Sequence, residues 1–125
     1  MIKPRPFYLN LIEIRLPIGG WVSILHRVSG AGLSLAAPGL LYLFMLSLRS
    51  EADHAAVTGF LTGGIGFLLV VGLIWAVLHH LFAGLRHLGL DLGKGEAKSC
   101  ARRSARGVLV AALGLTAVLA LGVLL

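Results

Sequence analysis

The sequence predicts an all-α integral membrane protein with three transmembrane helices, and three observations predict it. Of 125 residues, 58% are apolar and 13% charged, and the mean hydropathy of +0.94 is too high for an ordinary soluble domain of this size. Three apolar stretches each approach the roughly 20 residues that a helix rising 1.5 Å per residue needs to cross about 30 Å of hydrocarbon. Basic residues collect on one side of those stretches. Other classes are excluded by the same composition. The 17 glycines follow no repeat, and the single cysteine, Cys100, rules out a disulfide framework and a multi-cysteine zinc or iron-sulfur site. The five acidic residues are scattered, which argues against a two-metal carboxylate site.

The elements follow in order within one domain, 1–125. Residues 1–20 form an N-terminal segment with Pro4, Pro6, Glu13 and Pro17, unlike a removable targeting peptide, so it is expected to be retained. The first helix is predicted over 21–48. Its start is polar at Ser23, His26 and Arg27, its deeply apolar part begins near Val28, and Pro38 predicts a kink. A short polar loop, Arg49 to His54, precedes a second helix over 57–90 that carries His79, His80, Arg86 and His87 in its last third. A longer loop around Lys94, Glu96, Lys98, Cys100, Arg102, Arg103 and Arg106 leads to a third helix over 107–125 without a charged side chain. Small residues spaced by four, as in Gly30 with Ser34, Gly32 with Ala36, and Ala112 with Thr116 and Ala120, suit close helix approach. Three helices make a thin bundle for shielding a polar centre, so further helices are expected from a partner chain.

The formal charge of +6 and pI near 10.5 do not indicate nucleic acid, because the basic residues flank apolar runs instead of forming a patch with aromatics. They set topology. Lys3, Arg5, Arg15 and Arg27 precede or open the first helix, Arg86, Lys94, Lys98, Arg102, Arg103 and Arg106 lie between the second and third, and only Arg49 faces the other way. The N-terminus and second loop are therefore expected in the cytoplasm and the C-terminus outside.

Ionisable groups inside a membrane helix cost about 2.5–3.5 kcal/mol each on insertion scales and point to function. On the second helix His80, Gly84, His87 and Asp91 fall on one stripe, while His79 points about 100° away with Ala83 and Arg86. A neutral imidazole in hydrocarbon, beside a glycine that leaves a flat gap, is what an axial haem ligand requires. His80 fits better than His79; His87 and Asp91 reach the interface, where they could bond propionates or a water chain. Spacing alone leaves open that these histidines only bond neighbouring helices, and a second ligand is missing unless His26 supplies it. On the first helix Ser23, His26, Arg27 and Gly30 share a side. Ser23 and Arg27 could donate to a quinone carbonyl or Arg27 to a propionate, with an interfacial anchor and a helix start as the plainer alternative. Cys100 reads as a bystander thiol, and Gly63, Gly64 and Gly66 lack a phosphate-binding context.

The segments RPFYLNL, RLPIGGWVSILHRVSGAGLSL and HHLFAGLRHLGLDLG resemble the larger cytochrome b membrane-anchor subunit of succinate dehydrogenase. The resemblance spans most of the chain, and its specific parts are S-x-x-H-R-x-S-G and H-x-x-x-G-x-R-H-x-x-x-D. It implies helices packed with those of a second, smaller anchor subunit, in respiratory complex II. There a flavoprotein carrying FAD oxidises succinate and an iron-sulfur subunit passes electrons to ubiquinone or a related quinone. It further implies His80 as axial ligand of haem b, with the opposite histidine from the smaller anchor, and Ser23 and Arg27 as quinone-binding. It also implies His26 with Arg27 near the haem propionates and His87 and Asp91 as accessory polar groups; from the stripe itself Gly84 and His87 are expected to border the haem, and His87 and Asp91 to serve as a proton pathway. The adjacent His79 leaves a one-position alternative for the ligand.

The chain alone is expected to have no catalytic residue. It contributes to a quinone site, sits as a multi-pass protein in the bacterial cytoplasmic membrane, and meets lipid or a peripheral subunit through Arg5, Arg15, Lys94, Lys98, Arg102 and Arg103. An anchor of fumarate reductase or another quinone-linked haem b dehydrogenase shares these features. A proton-coupled transporter subunit would use the histidines but leaves both motifs unexplained.

Overall fold

The computed structural model describes Asn10 and residues 13–124, and the described elements are all helical. They are α1 (Ile18–Ser47), α2 (Glu51–Thr62), α3 (Gly64–Asp91) and α4 (Lys98–Leu124). Three of them, α1, α3 and α4, are long and apolar enough to cross a membrane, as the sequence predicts. Lys3, Arg5 and the RPFYLNL segment apart from Asn10 lie outside the described residues.

Helix α1 starts at Pro17, whose carbonyl accepts from Gly20 and Trp21, and it continues through Pro38 to Ser47. At 30 residues it measures about 45 Å and outreaches a hydrocarbon core. The polar stretch Arg49 to His54, expected as a loop, largely enters a helix. Ser50 caps α2: its Oγ accepts from Asp53 N at 3.0 Å and donates to Asp53 Oδ2 at 2.9 Å, and Glu51 and Asp53 add negative charge where the helix dipole favours it.

The predicted continuous helix over 57–90 is divided. Gly63, with φ −96° and ψ 141°, ends α2 and opens α3, and Gly64 follows at φ +31°. A side chain at Gly66 would collide with the Phe60 carbonyl. These glycines thus build a break between two helices. Helix α3 closes at Gly93, φ +72°, with Lys94 N bonded to Gly89 O at 3.0 Å and Gly93 N to Leu90 O at 2.9 Å, the paired bonds of a glycine-terminated helix end. The longer polar loop is also shorter than expected, because Lys98, Cys100, Arg102, Arg103 and Arg106 already lie on α4. Lysine and arginine are good helix formers, so a charged stretch need not be irregular.

The chain runs up, down and up again. The start of α1, the end of α3 and the start of α4 meet at one end, around a small core of Val22, Ala83, Ala105 and Val108 flanked by Ile18, Phe82 and Leu109. Helix α3 packs on both α1 and α4, and α2 leans on α1 and α3. Small residues permit this: Ala112 and Thr116 are buried, whereas Gly32 meets nothing within 4 Å, so only some of the predicted close-approach pairs act inside this chain. Leu35, Tyr42, Phe44, Leu68, Leu85 and Leu113 point outward, an apolar surface suited to hydrocarbon or further helices.

Candidate functional site

The two predicted faces of α3 separate as their spacing requires. His79, Ala83 and Arg86 turn into the bundle. His79 and Ala83 are fully buried, and Arg86 reaches α4, donating from Nε to Ser104 Oγ at 3.1 Å and from a terminal nitrogen to Ala101 O at 3.2 Å. The same terminal nitrogen is 3.3 Å from where a side chain on Gly19 would begin. Arg86, read from sequence as a topology charge, is a clasp joining α1, α3 and α4. Spacing placed it on the inner stripe but could not supply its partners.

His80, Gly84 and His87 face α1. The His26 and His80 rings stack with centroids 4.1 Å apart and planes inclined by 10°, and the His87 ring meets His26 edge-on at 5.3 Å. His26 is thus level with His80, deeper than its position near the helix start suggests. The gap expected beside Gly84 is not open either. His26 Nε2 lies 3.3 Å from the position of a Gly84 side chain, so an imidazole of this chain lies beside the glycine.

His80 is held on three sides. Its Nδ1 lies 3.0 Å from the His26 carbonyl oxygen and 3.4 Å from Ser29 Oγ, while Ser29 Oγ donates to that carbonyl at 3.0 Å. Close beside the ring is Gly30, where an added Cβ would stand 2.7 Å from His80 Cε1. A carbonyl oxygen only accepts, so Nδ1 carries the ring proton and a neutral ring keeps its lone pair on Nε2. Metal-ligating imidazoles usually donate their other ring N–H to a group of this kind, so the arrangement is compatible with a metal donor. Nε2 makes no hydrogen bond with any described residue, and the ring is half-buried. Sequence alone gives Ser29 no role and Gly30 only that of a close-approach residue on the side of Ser23, His26 and Arg27, although both fall within the S-x-x-H-R-x-S-G segment, three and four residues beyond His26.

His79 offers a poorer donor. Its ring is enclosed by the chain, tilted against Trp75 at 5.1 Å, and neither nitrogen has a partner among the described residues. No macrocycle could approach it without opening the bundle. His26 cannot be the opposite ligand to His80, because two axial ligands aim their nitrogens at each other across the macrocycle, whereas parallel rings 4.1 Å apart leave no thickness between them. Among the described residues, the chemistry of the donor set thus fits a single histidine ligand to a haem iron, His80.

Ser23 is half-buried and Arg27 exposed, one turn apart on α1. Neither makes a hydrogen bond or ion pair with any described residue, leaving their donors free. Asp91 is exposed at the end of α3, and His87 Nε2 is buried without a partner among the described residues. A cleft of about 440 Å³ opens nearby, lined by Pro17, Gly19, Arg86, Glu96, Lys98 and Arg102 among others; Ser23 and Arg27 are not part of it.

Comparison with known proteins returns one family over most of the chain. Residues 1–121 match the model of the succinate dehydrogenase/fumarate reductase transmembrane subunit. The chain is 31% identical over 105 residues to the succinate dehydrogenase cytochrome b556 subunit of Paracoccus denitrificans, covering 84% of this chain and 81% of that protein. It is 38% identical over 111 residues to the cytochrome b556 subunit of Coxiella burnetii, covering 88% and 89%. With the cytochrome b560 subunit of Reclinomonas americana it shares 35% identity over 102 residues, or 71% and 65% of the two chains.

Proposed function

Since the chain belongs to the succinate dehydrogenase/fumarate reductase transmembrane subunit family, we propose that it is the haem b-bearing membrane anchor of a succinate:quinone oxidoreductase. The observation that carries this reading is His80, whose Nδ1 is tied to the His26 carbonyl at 3.0 Å, which leaves the lone pair of the neutral ring on Nε2. His80 would ligate the haem iron, together with a histidine of a smaller anchor subunit. When bound, haem b supplies a one-electron redox centre beside the quinone. Arg27, exposed at the same end, is free to meet a propionate, and the His26 and His87 rings wall the site.

The chain does no catalysis by itself. A flavoprotein with FAD oxidises succinate, and an iron-sulfur subunit carries the electrons to the membrane. Ser23 and Arg27 present a hydroxyl and a guanidinium one turn apart to a quinone carbonyl, and their donors stabilise negative charge as it develops on that oxygen. His87 and Asp91 lie along the same face of α3 toward its end, where they hand protons inward from the surface. Among the described residues the basic side chains other than Arg49 gather at the end where α1 starts, which supports a cytoplasmic N-terminus and an extracytoplasmic C-terminus in a bacterial inner membrane. The partner subunits dock at that end.

Purification of the tagged chain from its membranes in mild detergent tests the reading. Co-purification of a flavoprotein, an iron-sulfur protein and a second anchor, with a b-type absorption spectrum and succinate-dependent quinone reduction, is expected. A colourless chain isolated alone would overturn it, and fumarate reduction greatly outpacing succinate oxidation would reassign the complex within the family.

A further inference from the structure

Resting on the haem reading above, we infer that Ser29 is a positioning residue that sets the electron-donating strength of His80 and thereby the potential of the haem. Ser29 is 3% exposed and shares an acceptor with His80. The His26 carbonyl oxygen receives Ser29 Oγ–H at 3.0 Å and His80 Nδ1–H at 3.0 Å, and within α1 it also takes the regular helical bond from Gly30 N–H. Three donors thus converge on one oxygen with two lone pairs. Each weakens the pull that the oxygen exerts on the others.

The pull on Nδ1–H matters because a stronger bond there makes the imidazole more basic and Nε2 a better donor. A better donor favours the ferric over the ferrous ion. Ser29 therefore draws off part of the carbonyl's accepting capacity and holds His80 at intermediate basicity. Its Oγ, 3.4 Å from Nδ1, also stops the ring from tilting away from the carbonyl. A serine bonding to the carbonyl three residues earlier is ordinarily a local detail of a helix. Here that carbonyl also anchors a second helix's imidazole.

The test is a spectroscopic redox titration of haem in the purified complex carrying Ser29→Ala, Ser29→Cys or Ser29→Thr. Ser29→Ala is expected to lower the potential, raising the ferric-to-ferrous ratio at fixed ambient potential by roughly three- to tenfold, where tenfold corresponds to 59 mV for one electron. Ser29→Cys, a weaker donor, should fall between, and it carries the test if Ser29→Ala does not assemble. Ser29→Thr keeps the hydroxyl and should titrate with the wild type. A Ser29→Ala or Ser29→Cys haem titrating at or above the wild-type potential overturns the inference, as does Ser29→Thr shifting as far as Ser29→Ala. Absence of haem from the wild-type complex would defeat the underlying haem reading and this inference with it, a result distinct from a haem-bearing complex indifferent to Ser29.

Discussion

Replacing Gly30 by alanine puts one methyl group against the His80 ring. Built on the observed backbone, it stands 2.7 Å from Cε1 and 3.1 Å from Nδ1, whereas carbon atoms rest at about 3.5–4.0 Å. The ring must retreat by about 1 Å, which stretches its 3.0 Å contact with the His26 carbonyl beyond hydrogen-bonding range. Lost bonding of about 0.5–1.5 kcal/mol adds to about 1–3 kcal/mol of overpacking. Removing such an outer contact from a metal ligand typically costs about 10–100-fold in affinity. The assay is haem per complex from the alkaline pyridine spectrum, with Gly32→Ala as control, since nothing lies within 4 Å of that site and alanine in a helix is otherwise favoured by about 1 kcal/mol. Gly30→Ala should lose most of its haem and Gly32→Ala none. Full haem content and an unaltered spectrum in Gly30→Ala would refute the placement of His80 against α1.

Ser23→Ala and Arg27→Ala should each retain haem but lower kcat/KM for quinone about tenfold or more, the equivalent of a charge-assisted bond of about 1.5–3 kcal/mol; unchanged quinone kinetics in both would remove them from the site. Arg86→Ala severs the bonds to Ser104 and Ala101 on α4 and should cost about 1–3 kcal/mol, read as a lower Tm in detergent that lysine, lacking the fork, does not restore. An unshifted Tm would mean that the clasp is incidental. Ser50→Ala should cost α2 about 1 kcal/mol, seen as faster amide exchange over Glu51–Thr62 with α3 unaffected, and equal exchange would count against the cap.

Hydropathy made the three spans legible because burial in lipid writes itself into composition over about 20 residues. It could not reveal the division at Gly63, since apolar character continues straight through the break and membrane helices often tolerate glycine. Nor could it place the start of α4, where Lys98, Arg102 and Arg103 read as loop by charge although their side chains favour a helix. Helical period alone separated the His79 stripe from the His80 stripe. What period cannot give is the register between helices, and so the stacking of His26 on His80 and the filling of the space beside Gly84 emerge only in three dimensions. Ser29, and the contact that Gly30 makes, were hidden for the same reason: their value lies in a histidine 50 or so residues away.

The most direct measurement is the reduced-minus-oxidised spectrum of the assembled complex with either adjacent histidine replaced. His80→Ala should abolish the low-spin b-type bands while His79→Ala keeps them. Loss of the bands in His79→Ala with His80→Ala intact would contradict the account, because the enclosed ring and not the carbonyl-anchored one would then hold the iron.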